Sequence, residues 1–261
     1  MRIKNIIMPF ICCGMLLSSF QFGNCRALSL YEEYSCYFEE KDSENIVISK
    51  TNEKDKEILK NMIVGEGKEF TRYLGYGAEV ADIDELLTTS QNEFSLTIKN
   101  PSNDVVGQIL IGKSNNENQL SVSYWIGKNF RGNGYAHLAI SKAMSIIWKA
   151  NNNISFEFEI DDENISSIKT VKKVCKNLNI DFNNPDSHRF TKRESHTVEI
   201  KALKNDGQSS TYDIQFYVDN ILIDNVVKTK QDILKKYSQD KLDSGVLLKN
   251  SSSIYVIRYS D

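Results

Sequence analysis

Arg131-Gly132-Asn133-Gly134-Tyr135-Ala136 is the stretch whose residue types and spacing point most directly to chemistry. It follows Leu120 to Ile126, a run rich in β-branched and aromatic residues with the composition of a buried strand. After it, Ala136, Ala139, Ile140, Ala143, Met144 and Ile147 recur every three or four positions, marking the apolar face of a helix. A helix that opens on a glycine loop leaves backbone N–H groups without intrahelical partners. Those groups, with the positive end of the helix dipole, make an anion site best suited to phosphate. Gly132 and Gly134 have no Cβ, so a diphosphate can approach the backbone closely. An ordinary strand-to-helix turn uses the same residues, so the loop gains meaning only from its neighbours.

Tyr124-Trp125-Ile126-Gly127, a short gap, and then Arg131 to Ala136 together resemble the acetyl-CoA-binding segment of the GNAT acetyltransferases. The resemblance is strongest to the branch that includes the ribosomal-protein N-terminal acetyltransferases. Asn164-Ile165-Ser166-Ser167, heading a second helix, lies at the spacing that branch shows. The resemblance implies an α/β GNAT (acyl-CoA N-acyltransferase) fold with a mixed central sheet over residues 45–205. It implies an N-acetyltransferase with acetyl-CoA as co-substrate, no metal, and an amine acceptor in a protein N-terminus or a small molecule.

The same resemblance distributes roles. Pantetheine lies between the strands Leu120–Ile126 and Ile154–Ile160 and bonds to backbone near Trp125 and Ile126. The diphosphate sits on Arg131, Gly132, Asn133, Gly134, Tyr135 and Ala136. Asn164 contacts the pantetheine arm, although asparagine is also a plain helix N-cap. Ser167 assists the leaving thiolate, or is simply a first-turn residue. Attack by an amine needs a base, and Glu159 and Glu157 occupy the polar side of the strand beside the cleft. Two departures stand out. Ser121 and Ser123 precede Tyr-Trp where many relatives carry glutamate, and the Leu-Gly-Phe that closes the second helix in relatives is matched either by Val174-Cys175-Lys176 at strict spacing or by Leu178-Asn179-Ile180 about one turn later.

The elements that position these residues are a strand over Asn45–Lys50, a helix over Asn52–Ile63 capped by Thr51, and a helical stretch near Asp82–Thr88. A hairpin of Phe94–Lys99 with Val105–Gly112 leads to the strand before the glycine loop. Ile154–Ile160 alternates as a strand and Asn164–Asn177 is amphipathic. Asn179–Asn183 and Thr197–Leu203 are expected to close the sheet. Beyond residue 205 the pattern predicts a small α+β appendage over residues 206–261, with a hairpin of Tyr212–Val218 and Ile221–Val227, a helix over Thr229–Tyr237, and strands at Gly245–Leu248 and Ser253–Tyr259. It is either a docking module for a protein partner or a cover for the sheet edge.

A net charge of −3 and a hydrophobic content of 40% describe a globular chain without the positive field that nucleic acid or an anionic membrane requires. The first residues differ. Arg2 and Lys4 precede an apolar run from Ile6 to Phe20, and Cys25-Arg26-Ala27 offers small residues for cleavage, so residues 1–27 read as a signal peptide. Export follows, to the periplasm or medium, with delivery into another cell's cytosol as one route to acetyl-CoA. The alternative is a membrane anchor formed by residues 6–20. Residues 28–44 read as a polar linker. Of five cysteines, Cys36 and Cys175 lie outside the leader and are free to pair. Mass spectrometry of the protein from its native source is expected to find a chain beginning at Leu28. A chain retaining Met1 would refute export by cleavage.

Overall fold

Alternating and helical patterns account for most of the elements in the computed structural model, which describes residues 33–38, 46–66, 93–205 and 210–260. The strands are β1 (Val47–Lys50), β2 (Glu93–Lys99), β3 (Val105–Lys113), β4 (Gln119–Ile126), β5 (Ser155–Asp161), β6 (Phe190–Lys204), β7 (Thr211–Val218), β8 (Ile221–Thr229) and β9 (Val246–Arg258). They form one mixed sheet in the order β1-β2-β3-β4-β5-β9-β6-β7-β8. Only β4 and β5 run parallel, joined by the crossover helix α2 (Tyr135–Ala150). The other helices are α1 (Glu53–Glu66), α3 (Ile165–Asn177), α4 (Lys230–Leu234) and α5 (Gln239–Ser244).

Side-chain alternation assigns the two faces. Leu120 and Val122 of β4 and Phe156, Phe158 and Ile160 of β5 join Ala139, Ile140, Ala143, Met144 and Ile147 of α2 and Val171, Val174 and Cys175 of α3 in the main core. On the opposite face Trp125 packs with Leu59 and Ile63 of α1. Asn52, one residue after the expected Thr51, caps α1 by accepting from Asp55 N–H at 2.9 Å. Thr51 instead joins a polar chain beneath α1, in which Trp125 Nε1 donates to Gln108, Gln108 to Ser95, and Ser95 meets Thr51.

Several sequence expectations change. Asn179–Asn183 is turn rather than strand. Asn179 takes φ 56° and Ile180 N–H bonds back to Cys175 at 2.8 Å, so the residues close α3 as a left-handed C-cap. Thr197–Leu203 is the second half of a longer β6, and the two strands expected at Gly245–Leu248 and Ser253–Tyr259 are one continuous β9 from Val246 to Arg258. The helix expected over Thr229–Tyr237 is the shorter α4, followed by α5. Beyond residue 205, Ile214, Ile233, Leu242 and Leu247 pack with Ala202 of β6 in a second, smaller core. The last strand, however, returns to the centre of the main sheet, pairing with β5 on one side and β6 on the other.

The polar stretch read as a linker also contributes structure. Tyr34 and Phe38 are fully buried beside Phe94. Cys175 is free, and burial pushes its thiol up to about 12, which makes it inert. The leader, residues 1–27, and the helical stretch expected at Asp82–Thr88 lie outside the described residues. Among the described residues no helix is long and apolar enough to cross a membrane.

Truncation after Gly245 tests the topology. It removes the strand between β5 and β6, including the buried Tyr255, Val256 and Ile257. The truncated chain is expected to lose its cooperative thermal transition altogether by circular dichroism. A transition like that of the full chain would mean that the tail is dispensable to the main core.

Candidate functional site

β4 and β5 pair only from Gln119 to Ser121 and from Ser155 to Glu157. Beyond Ser121 the two strands part, and each then leads to a helix N-terminus at the open end. In an α/β sheet this is where a ligand is seated, at the carboxyl ends of diverging parallel strands.

The glycine loop lies at that end. Gly132 and Gly134 have φ of 83° and 82°, a region that a side chain disfavours. Gly134 is the N-cap of α2 and provides no side-chain cap. Among the described residues, none of the N–H groups from Gly132 to His137 has an acceptor. They form an electropositive concavity suited to a diphosphate. Asn133 turns its side-chain amide back onto the Phe130 and Arg131 carbonyls, at 3.1 and 3.4 Å. Tyr135 and Ala136 form the first turn of α2.

Arg131 does not project freely into this site. Its Nε donates to Ile126 C=O at 2.9 Å and its guanidinium pairs with Glu66 at the end of α1. The second oxygen of Glu66 accepts from Lys128 N–H at 2.5 Å. The carboxylate, itself buried, thus clamps the base of the loop and neutralises Arg131.

The second helix N-terminus carries Asn164, whose Oδ1 accepts from Ser167 N–H at 3.1 Å and from Ser166 Oγ at 3.2 Å. The capping role is therefore real, and it leaves the side-chain amide nitrogen of Asn164 outside the cap. Ser167 stands one turn into α3, half-buried, and its carbonyl accepts from Tyr124 Oη at 3.4 Å. Tyr124 thereby ties β4 to α3 across the parting strands.

The two carboxylates share the α1 face of the sheet and differ in surroundings. Glu157 lies at the closed end, opposite Ser121, and accepts from Ser114 and Gln119. Burial pushes its carboxyl above the usual range; the negative charge of Glu159 adds to this, while the Ser114 hydrogen bond and Arg193 oppose it. Glu159 lies past the last β4–β5 pair, at the open end. A bulge in β6 between Glu194 and Thr197 aims Ser195 and His196 at it. Ser195 Oγ donates at 3.3 Å, Ser252 Oγ at 2.9 Å, and His196 Nδ1 lies 3.6 Å away. Of the two carboxylates, Glu159 is the one placed at the open end of the cleft.

Sequence reasoning missed Glu66, Ser195, His196 and Ser252. Glu66 is an unremarkable acid at a helix end, and the others come from strands that only the sheet brings to β5. His137 stands half-buried in the first turn of α2. Among the described residues no group of side chains is placed to hold a metal ion.

A mixed sheet opened between two parallel strands, with a glycine-capped helix N-terminus at its mouth, defines the α/β class of this protein. Residues 45–174, about half of the chain, match the family model of the acetyltransferase (GNAT) domain, and through this domain the chain belongs to the GNAT acetyltransferases. Solved structures similar to it include a spermidine N-acetyltransferase from Vibrio cholerae in complex with CoA and spermine, at 11% identity, covering 83% of this chain and 97% of that one, with a TM-score of 0.49. A GNAT-family acetyltransferase from Bacillus anthracis is 14% identical over 83% of this chain and 96% of its own, with a TM-score of 0.49. A ribosomal L7/L12 alpha-N-protein acetyltransferase in complex with CoA is 12% identical over 84% and 97%, also with a TM-score of 0.49. Likenesses this distant decide nothing about substrate. No curated protein matches the sequence.

The clamp is open to test by Glu66→Ala. The Lys128 N–H and the Arg131 guanidinium lose their acceptor, a change expected to cost about 1–3 kcal/mol of stability. Chemical denaturation should show the loss, and Arg131→Ala added to Glu66→Ala should cost less than the sum of the two single changes. Strict additivity would mean that the pair is not coupled.

Proposed function

We propose that the protein transfers the acetyl group of acetyl-CoA to an amine, on a protein N-terminus or a small amino compound. The observation that carries this reading is the run of N–H groups from Gly132 to His137, without acceptors among the described residues, within the residues that match the GNAT domain. In this reading the diphosphate rests on Arg131 to Ala136, held by backbone rather than by the neutralised Arg131 side chain. The pantetheine arm enters between β4 and β5 and pairs with backbone near Trp125 and Ile126, where Ile126 is the residue whose N–H and C=O face away from β3. The Ile126 carbonyl has a second lone pair beside the one Arg131 occupies. Asn164 offers its side-chain N–H to the arm while its oxygen stays in the cap.

The acceptor nitrogen attacks the thioester carbonyl, so an N–C bond forms as the C–S bond breaks. A backbone N–H near Ile126 stabilises the oxyanion. Glu159, oriented by Ser195 and Ser252, takes the proton shed by the amine. The Ser167 hydroxyl bonds the departing thiolate, whose charge develops as the C–S bond lengthens. The leader-like residues 1–27 support export as part of this reading. They and the serines at 121 and 123 favour one alternative, an exported binding protein that has kept the fold without turnover.

Calorimetry with acetyl-CoA is the first test. Gly134→Asp places a carboxylate against the diphosphate and forces a side chain into φ 82°, and is expected to abolish binding. Binding at full affinity in that variant would overturn the site. With an acceptor amine in hand, Ser167→Ala should lower kcat by about a hundredfold with little change in KM. Asn164→Ala should instead weaken acetyl-CoA binding. Tight binding with no turnover across protein and small amines would select the alternative.

A further inference from the structure

We infer that His137 is a ligand-binding residue of this site: its Nε2–H is an additional donor to the diphosphate seated on the glycine loop. The inference rests on the acetyl-CoA reading above and adds a side-chain contact to a site otherwise built of backbone.

His137 stands three residues after the N-cap Gly134, where a first-turn side chain folds back over its own helix N-terminus. The ring does fold back. A Cβ built on Gly134 would lie 3.1 Å from Nε2, against 3.8 Å from Cδ2 and 3.9 Å from Cε1. Nε2 therefore leads the edge of the ring that faces the N-cap and its unpaired N–H groups.

A chain of hydrogen bonds decides which ring nitrogen carries the proton. Ser141 Oγ donates its single hydrogen to the His137 carbonyl at 2.7 Å. Toward Asn177, 3.3 Å away, the same oxygen can then only accept. The near end of Asn177 must be its amide nitrogen, which fixes the side-chain flip. That nitrogen lies 3.0 Å from His137 Nδ1 and can only donate. Nδ1 of the neutral ring is accordingly bare, and the proton sits on Nε2. Burial first, and then the positive charge of Lys173 facing the ring from α3, hold the imidazole below its usual range. At neutral pH the ring is neutral, and its one N–H points toward the site. Ser141 and Asn177 are positioning residues, since they act through the ring.

The test uses the purified protein and two probes, CoA and 3′-dephospho-CoA, which share the diphosphate. Nitrogen-15 NMR of the imidazole is expected to show the Nε2–H tautomer in the free protein at pH 7.5, and that N–H signal is expected to shift on adding either probe. His137→Ala should weaken both probes by about tenfold or more. His137→Gln, whose amide can donate from a similar reach, should recover part of the loss. A purely structural role would move neither the ring signal nor the difference between the two variants. Unchanged affinity in His137→Ala, or an Nδ1–H tautomer, would overturn the inference. So would a loss confined to CoA, which would assign the ring to the 3′-phosphate. Failure of the unmodified protein to bind either probe would instead bring down the acetyl-CoA reading, and this inference with it.

Discussion

The structure depends on the early parting of β4 and β5. A parallel pair that stops after Ser121 and Glu157 exposes strand edges in the middle of a sheet, where backbone N–H and C=O groups normally find partners. Such a gap persists only if the surroundings hold the strands apart. Here β4 is secured on its other side by β3 along most of its length, and β5 by β9. Tyr124, half-buried between β4 and α3, spans the gap on the core face, and burial raises its hydroxyl above the usual range. A strand-like ligand arm is the natural complement to what remains.

Both helices that follow the parted strands present their N-termini to the same opening, and the protein treats them differently. The N-terminus of α3 is closed by Asn164, whose side-chain Oδ1 accepts from Ser167 N–H. The N-terminus of α2 is left open, because its N-cap is a glycine in the left-handed region with no side chain to offer. The open end is the one that can take an anion. Its geometry is held from beneath by Glu66, whose two oxygens meet Lys128 N–H and Arg131. The arrangement separates two tasks that the sequence motif places side by side. Arginine braces the loop, and the backbone N–H groups are left at the opening.

The glycine loop, the β4 and β5 patterns and the α3 cap were legible because each is local. Period-two and period-three-or-four spacing, a positive-φ glycine and an asparagine N-cap act within a few residues of themselves. Those signals also fixed which side of β5 carries Glu157 and Glu159, since alternation along one strand needs no partner. Asn179 was readable as a substitute for glycine at the end of α3, for the same reason. Residues 34 and 38 were misread because two aromatics in a polar stretch have no periodicity, and only Phe94 opposite them explains their burial.

What the sequence by itself determined is therefore a glycine loop between a strand and a helix, in a domain of the GNAT pattern. The tertiary structure decided which distant groups meet there. Ser252 reaches Glu159 across 93 positions because β9, from the far end of the chain, is the strand that satisfies the open edges of β5 and β6. Two bare strand edges can accept any strand of suitable pattern, and nothing local to β9 says where it will dock. Glu66 meets Arg131 across 65 positions for a comparable reason, since helix α1 lies where its apolar face covers Trp125. Burial of apolar surface chose these placements, and the hydrogen bonds that shape the site followed from them.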